Sequence, residues 1–369
     1  MEPSPDLDTG RRSPAPSTPA QAAIWSGVHD RFRVDTVDLP DLTDGEVLVE
    51  VELATICGSD LHTINGDRAT PLPTVLGHEA IGVVAATGGK VVDHRDVPVE
   101  VGDRITWTIG SSCGECARCR RGLRQKCVHV RKYGHEAIDE HWRLNGGLAT
   151  HCHLVSGTGI VRLPGVLPAT VATPANCATA TVVSAARRVS LDAGDAVVVL
   201  GCGMLGLTAV AYAKDRGVQH IVACDVDPER LAAATAFGAT RVCLPQELPA
   251  ATQDSGADVI FEMSGNNRAV QSALDVVDIG GRIALVGSVS PAEDIHFEPS
   301  SYVKRLVTMV GSHNYHVDDL AEAVDFLERT AAQRLFATLV STPYPLRDIE
   351  DAVAAANRGV APRVAVRLR

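Results

Sequence analysis

The run Asp195–Gly217, DAVVVLGCGMLGLTAVAYAKDRG, decides the fold. Asp195–Gly201 is a continuously apolar strand, and the residues from Met204 onward carry a helical pattern. Between them Gly201-Cys202-Gly203-Met204-Leu205-Gly206 spells G-x-G-x-x-G. Alone the pattern is weak, but after a strand and at the head of a helix it has a mechanism. The first glycine makes the tight turn, the second lets the backbone approach a pyrophosphate, and the third lets helix and strand pack closely. The helix start at Met204 and Leu205 then carries the anion. Asp225 ends the next strand, nineteen residues beyond Gly206. A carboxylate there can take both adenosine ribose hydroxyls and repels a 2′-phosphate, which favours NAD over NADP. Arg230 nearby leaves dual use open. The bland alternatives are a glycine turn with no ligand, and Asp225 as a helix cap before Pro228.

Working outward, HIVACDV, ADVIFEMSG and GGRIALVGSVS are further buried strands, with PERLAAATAFGA and VQSALDVVDIG as helices. Strands that are apolar throughout, alternating with helices, predict a doubly wound parallel sheet over residues 178–311. Trp25 to Pro164 is different: short Val-rich runs such as Glu46–Leu53 and Ala80–Thr87, broken by Gly, Pro and Asp, predict a compact β-rich body. An amphipathic helix, Val317–Arg329, and a mixed tail follow Gly311; too short to stand alone, residues 312–369 are expected to return to the first body, residues 21–177. Residues 1–20, rich in Pro, Ser and Asp, are expected to form a disordered tail.

The chain has 369 residues, of which 45% are hydrophobic and only 4% aromatic, so an aliphatic core is expected. The net charge of −11 gives no global attraction for nucleic acid or acidic membranes. No apolar run is long enough for a secretory signal or a membrane span, so the expected location is the cytoplasm. Ten cysteines in a reducing compartment favour metal or catalysis over disulfides.

Their spacing partitions them. Cys113, Cys116, Cys119 and Cys127 form C-x2-C-x2-C-x7-C, enough thiolates to close a tetrahedron around Zn²⁺ with no open position, hence a structural role. An iron–sulfur cluster is the rival for the same donors. Arg118, Arg120, Arg121, Arg124 and Lys126 offset the charge of such a centre. Cys57 stands in CGSDLH after an apolar strand, His78 and Glu79 in GHE before another, and Cys177 in TPANC where the two bodies join. Each alone is more often a packed core residue than a ligand.

Together, CGSD, GHE, the four-cysteine lobe, the junction cysteine and G-x-G-x-x-G, in this order, make the chain from about Ile24 to Arg369 resemble a zinc-dependent medium-chain alcohol dehydrogenase. The resemblance implies an α/β architecture, a GroES-like β-rich catalytic domain with a Rossmann domain. It implies two zinc ions per chain, and a catalytic one held by Cys57, His78 and Cys177 with a fourth position left for water or substrate. Asp60 matches a carboxylate that orients the histidine ligand, and Glu79 one behind the metal. Ser59 matches the hydroxyl that takes the alcohol proton and His62 the histidine that passes it to solvent, while hydride goes to the nicotinamide. The corresponding bland readings are a turn hydroxyl and a loop histidine. Gly58 departs from relatives that carry an arginine there to touch the cofactor phosphate.

ICGSDLHTINGDR, QKC-x3-RKYGHE, ANCATATV and GSHNY further resemble a subgroup of phosphonate-associated alcohol dehydrogenases. An anionic substrate would need cations facing the metal, and Arg68, Lys132, His135 and His313 are candidates; solvated surface charges are the alternative. A polyol or cyclitol would also suit a polar pocket. A zinc- and nucleotide-binding sensor would be expected to lose ligands that are all present here, and metal-free enone reductases typically lack both zinc sets. The family implies a small-molecule alcohol as partner and a homodimer or homotetramer, with GGRIALVGSVS as a candidate edge strand. Cys152, Cys202, Cys224 and Cys243 are left to pack as small apolar residues.

Overall fold

The computed structural model describes residues 18–253, 256–290, 293–330 and 332–368. The proposed N-terminal tail lies outside them up to residue 17, and Ala20, buried, already opens a strand. The described chain falls into two compact units, one up to Thr173 and again from Ser341, the other Pro174–Val340.

The first unit begins with β1 (Ala20–Trp25), β2 (Arg33–Val37), β3 (Glu46–Ile56), β4 (Thr74–Val75), β5 (Glu79–Gly88), β6 (Arg104–Trp107), β7 (His151–Leu154) and β8 (Ile160–Arg162). The second contributes β9 (Ala196–Leu200), β10 (His220–Cys224), β11 (Arg241–Cys243), β12 (Val259–Glu262), β13 (Arg282–Leu285) and β14 (Thr308–Gly311). The chain closes in the first unit with β15 (Tyr344–Pro345) and β16 (Val364–Arg367).

In the first unit a small sheet runs β2-β1-β4 and a larger one β15-β16-β3-β5-β6-β8, with β7 also on β3. The long β3 is the spine: its first half pairs with β7, its second with β16, and β5 lies antiparallel along most of its length. That register sets the ends of β3 and β5, with Thr55 opposite Glu79, side by side. The core is mainly Val, Leu, Ile and Ala as expected, yet the few aromatics are concentrated in it. Tyr133 packs edge-on against both Trp107 and Trp142, at ring separations of 6.4 and 5.4 Å, and the Trp142 indole N–H donates to the His153 carbonyl at 2.8 Å.

In the second unit a wholly parallel sheet runs β11-β10-β9-β12-β13-β14. This is the doubly wound order, with its switch point between β9 and β12. All five residues of β9, AVVVL, are buried, as helices on both faces require. The described edge on one side is β14, where Met309 is exposed, and not the GGRIALVGSVS strand, whose β13 lies inside the sheet between β12 and β14. Residues 312–340 stay with this unit, correcting the expected return at 312. Helix Val317–Arg329 packs on helix Ala178–Arg188, the Arg187 guanidinium grips Asp319 at 2.7 and 2.9 Å, and Phe326 meets Tyr212 and Phe336 edge-on. Its apolar face is satisfied there, so the chain returns only at Ser341. No helix among the described residues is long and apolar enough to cross a membrane.

Candidate functional site

In the first unit Cys57 is the N-cap of helix Gly58–Ile64. Asp60, wholly buried, reaches back so that one carboxylate oxygen accepts the Cys57 backbone N–H at 2.8 Å. The other lies 3.3 Å from His78 Nδ1 and accepts the Gly77 N–H at 3.4 Å. One carboxylate therefore sets the positions of Cys57 and His78 at once, and turns Nε2 of His78 toward the sulfur side. Burial works against charge on His78, but the neighbouring Asp60 carboxylate holds its pKa well above the usual histidine value.

The local chain explains this placement. Gly77 has φ +88°, and a Cβ there would lie 3.0 Å from the Leu148 nitrogen. Its carbonyl accepts the Gly147 N–H at 2.6 Å. The segment before His78 is thus clamped backbone to backbone, with no room for a side chain. Ligand atoms of Cys57, His78 and Glu79 come within 4.8 Å of one another. The Glu79 Oε2 takes hydrogen bonds from Thr55 Oγ1 and Arg363 Nε, both at 2.6 Å, while its buried Oε1 has no hydrogen-bond partner among the described residues. Burial raises the Glu79 pKa and Arg363 pulls it back. A thiol, an imidazole and a buried, uncommitted carboxylate oxygen at this spacing suit a zinc ion.

Ser59 Oγ lies 3.3 Å from His78 Nε2. His62, one turn on, is exposed and pairs with Asp67 at 3.0 Å. The His135 ring faces His78, centroids 5.0 Å apart, and its Nδ1 meets an Arg68 guanidinium nitrogen at 2.7 Å. Burial, then the charges of His78, Arg68 and Lys132, hold the His135 pKa well below the usual value.

The four lobe cysteines converge within 4.8 Å. Sulfur–sulfur distances are 3.4 Å for Cys113–Cys127, 3.5 Å for Cys116–Cys119 and 4.0 Å for Cys113–Cys119. These bracket the edge of about 3.8 Å that a tetrahedron with ~2.3 Å Zn–S bonds requires. Backbone N–H groups of Cys113 and His129 point at the Cys127 sulfur, both at 3.3 Å. Donors from Val128 and Cys119 bring the Cys116 thiol down to about 6, toward the thiolate a metal needs.

In the second unit the three glycines of the turn differ physically. Gly201 has φ +93°, and a Cβ there would lie 2.8 Å from the Ser264 Cα. A Cβ on Gly206 would lie 1.7 Å from the Gly201 carbonyl oxygen, whereas one on Gly203 meets nothing within 4 Å. Gly203 is the N-cap of helix Met204–Asp215, so the open space lies over the helix N-terminus. Asp225 is buried; one oxygen accepts the Cys202 N–H at 2.6 Å and the other the Asp227 N–H at 3.0 Å. It ties the glycine turn to the end of β10. The helix cap is Asp227, which accepts the Glu229 N–H at 2.8 Å, so the capping alternative for Asp225 falls away. Arg230 Nη1 lies 4.0 Å from Asp225 and its Nε 3.6 Å from Asp227. Cys177 caps helix Ala178–Arg188, also in the second unit.

Residues 43–165 match the alcohol dehydrogenase GroES-like domain and residues 205–329 the zinc-binding dehydrogenase domain. The chain is 32% identical to a sorbitol dehydrogenase of Bacillus subtilis over 286 residues, 74% of this chain and 76% of that one. The chain belongs to the zinc-dependent medium-chain alcohol dehydrogenase family. It is an oxidoreductase of that family, with the GroES-like and Rossmann-type architecture the resemblance implied. An alcohol dehydrogenase of Geobacillus stearothermophilus is 31% identical over 90% of this chain and 94% of its own. The solved structure of an alcohol dehydrogenase from Thermotoga maritima superposes with a TM-score of 0.89 at 26% identity, covering 94% and 99% of the two chains.

Three partners of the dehydrogenase's site carried no motif. Arg363 and Thr55 clamp Glu79, yet in sequence they are an arginine before a C-terminal strand and a threonine in a Val-rich one. Glu262, fully buried at the switch point, accepts the Ser264 and Gly265 N–H groups at 2.8 and 2.7 Å and the Ser288 hydroxyl at 2.9 Å, organising the loop after β12. The four remaining cysteines, Cys152, Cys202, Cys224 and Cys243, are all buried.

Proposed function

We propose that the dehydrogenase is a zinc- and NAD-dependent enzyme oxidising a small alcohol reversibly, with Cys57, His78 and Cys177 as the catalytic zinc ligands and Cys113, Cys116, Cys119 and Cys127 as a second, structural zinc site. The observation that carries the reading is the Asp60 carboxylate, which orders Cys57 and His78 together, with the open oxygen of Glu79 beside them. Zinc there would supply Lewis-acid polarisation of the alcohol oxygen, and a nicotinamide would supply the hydride acceptor.

The chain's own residues do the rest. Asp60 holds the His78 ring at Nδ1, so that Nε2 is the nitrogen that would bind the metal. Ser59 stands beside that nitrogen, where its hydroxyl can receive the alcohol proton, and His62, paired with Asp67 at the surface, hands it to water. Glu79, steadied by Thr55 and Arg363, offers its second oxygen when a ligand leaves. Gly203 leaves room for the pyrophosphate over Met204 and Leu205, Gly201 and Gly206 let the turn, strand and helix pack closely, and Asp225 with Arg230 sets the ribose pocket.

The finer substrate reading is an alcohol bearing a phosphonate or phosphate; similarity to a sorbitol dehydrogenase supports the polyol alternative. The exposed edge of β14, with Val303, Leu306 and Met309 nearby in sequence, supports a homodimer or homotetramer. Metal analysis with turnover tests the core of this reading. Two zinc ions per chain and faster turnover with NAD⁺ than with NADP⁺ are expected. A metal-free chain that still turns over, or Cys57→Ala active at full rate, overturns it.

A further inference from the structure

We propose that Glu262 is a positioning residue for the nicotinamide half of the cofactor. Its buried negative charge favours the oxidised, pyridinium form over the reduced form, so that NADH competes less against NAD⁺. The inference rests on the nicotinamide-dependent reading above.

Glu262 ends β12 and pairs on one side with Leu200, the last residue of β9, and on the other with Leu285, the last of β13. The turns after these strands interlock backbone to backbone. A Cβ on Gly201 would lie 2.8 Å from the Ser264 Cα, one on Gly265 2.8 Å from the Gly287 carbonyl oxygen, and one on Gly287 2.7 Å from the Met263 carbonyl carbon. The Glu262 carbonyl accepts the Val286 and Gly287 N–H groups at 3.1 and 2.9 Å. Its side chain is wholly buried, while Ser264 and Ser288, whose hydroxyls reach it, are exposed. One carboxylate oxygen accepts the Ser264 N–H and hydroxyl, both at 2.8 Å, and the Gly265 N–H at 2.7 Å; the other accepts the Ser288 hydroxyl at 2.9 Å. The Ser264 oxygen in turn accepts the Asn266 N–H at 3.1 Å, which leaves its own proton for Glu262. All these donors are neutral, and among the described residues Glu262 makes no ion pair.

A clamp for two loops needs only a neutral acceptor. Burying a full charge costs far more than burying an amide unless a countercharge joins it. Neutral dipoles stabilise the carboxylate without cancelling its charge, so its field emerges through a single layer of loop, where partial desolvation weakens screening. In a sheet of this order the two halves of a dinucleotide lie on either side of the switch point. Asp225, just past β10, marks the adenosine side, which leaves the loops after β12 and β13 to the nicotinamide. That ring is a cation when oxidised and neutral when reduced, while the pyrophosphate carries the same charge in both. A fixed anion on the nicotinamide side therefore discriminates between the two forms.

The test measures binding and needs no turnover. NADH is titrated by fluorescence, and NAD⁺ and ADP-ribose, which lacks the nicotinamide, by calorimetry, on the full parent chain and on Glu262→Gln. The glutamine oxygen can still accept the two backbone N–H groups, and the Ser288 hydroxyl can turn to accept from the new amide, so the loops keep their contacts while the charge is lost. Expected is a roughly 3–30-fold rise in the ratio of the NAD⁺ to the NADH dissociation constant, the reach of one unit charge in a partly desolvated site, with ADP-ribose affinity changed less than about threefold. Glu262→Asp, which keeps the charge but shortens the reach, should weaken both forms and leave their ratio near the parent's. Thermal unfolding identifies a glutamine variant that has merely lost its fold, in which case the smaller, neutral Glu262→Ser takes its place. An unchanged ratio, with or without weaker binding of both forms, marks a loop clamp and overturns the inference while leaving the dehydrogenase reading intact. A parent chain that binds neither NAD⁺ nor NADH overturns the inference together with the reading beneath it. A shifted ratio in a chain oxidising no alcohol supports the inference and overturns the proposed alcohol oxidation alone.

Discussion

Gly203→Ala and Gly206→Ala, three residues apart in one turn, should fail in opposite ways. At Gly206 the new methyl would sit 1.7 Å from the Gly201 carbonyl oxygen and 2.8 Å from its carbon. Both are backbone, pinned by the Gly201 N–H to the Cys224 carbonyl at 2.8 Å, so neither yields as a flexible side chain would. Helix and strand must separate by more than 1 Å in a close-packed interior, which costs about 3 kcal/mol or more, the upper end of overpacking. For a unit the size of Pro174–Val340 this lowers Tm by roughly 6–12 °C, at ~2–4 °C per kcal/mol. At Gly203 a methyl meets nothing within 4 Å and φ is −77°, a value any residue adopts. Losing a flexible glycine stabilises by ~0.4–1 kcal/mol, and losing a better N-cap offsets about as much, so Tm should move by no more than a few degrees. The open space over Gly203 is, however, where a pyrophosphate would approach, so NADH affinity should fall at least roughly tenfold, or ~1.4 kcal/mol. Calorimetric unfolding and NADH fluorescence titration on both variants separate the two effects. If Gly203→Ala costs as much stability as Gly206→Ala, or binds NADH like the parent, the assignment of space to ligand is wrong.

Other consequences follow from single contacts. Asp60→Asn keeps the shape but removes the charge beside His78 Nδ1, so zinc affinity at the open site should drop ~10–100-fold in chelator competition. Arg363→Met strands the buried Glu79 carboxylate and should cost about 3–5 kcal/mol by denaturant titration, most of it recovered by adding Glu79→Gln; a double variant no better than the single one argues against the pair. His153 is buried and its pKa lies below the usual histidine value, chiefly through burial, partly opposed by Glu46 3.2 Å away. The unfolded chain thus binds the extra proton first, so stability is present above about pH 6.5 and is lost as the pH falls toward the folded value. His153→Gln should flatten that decline between pH 7 and 5. Met309→Lys on the exposed β14 edge should reduce the mass seen in light scattering if that edge pairs two chains.

Much of the dehydrogenase is written in local chemistry. The cysteine lobe spans fifteen residues, and its donors meet because short backbone turns leave them few other places to go. The glycine turn is equally local, since backbone sterics between β9 and the following helix demand a missing Cβ wherever the chain is read. CGSD and GHE could be recognised as patterns, and in space the Asp60 carboxylate meets both the Cys57 N–H and the His78 ring. What sequence could not reach depends on contacts between distant residues. The pairing of β16 with β3 brings Arg363 to Glu79 across 284 positions, and no spacing encodes that. His135 and Arg68, 67 residues apart, could be singled out as candidate cations, but only the fold sets the His135 ring 5.0 Å from that of His78 and ties Arg68 to it. The helix Val317–Arg329 was legible as amphipathic, but amphipathicity does not name the face it will meet, and only the packing with Ala178–Arg188 decided that it stays with the parallel sheet. Local backbone demands survive in a one-dimensional pattern; the partner of a buried charge or an apolar face is chosen by the register of the sheets, and that is settled only in three dimensions.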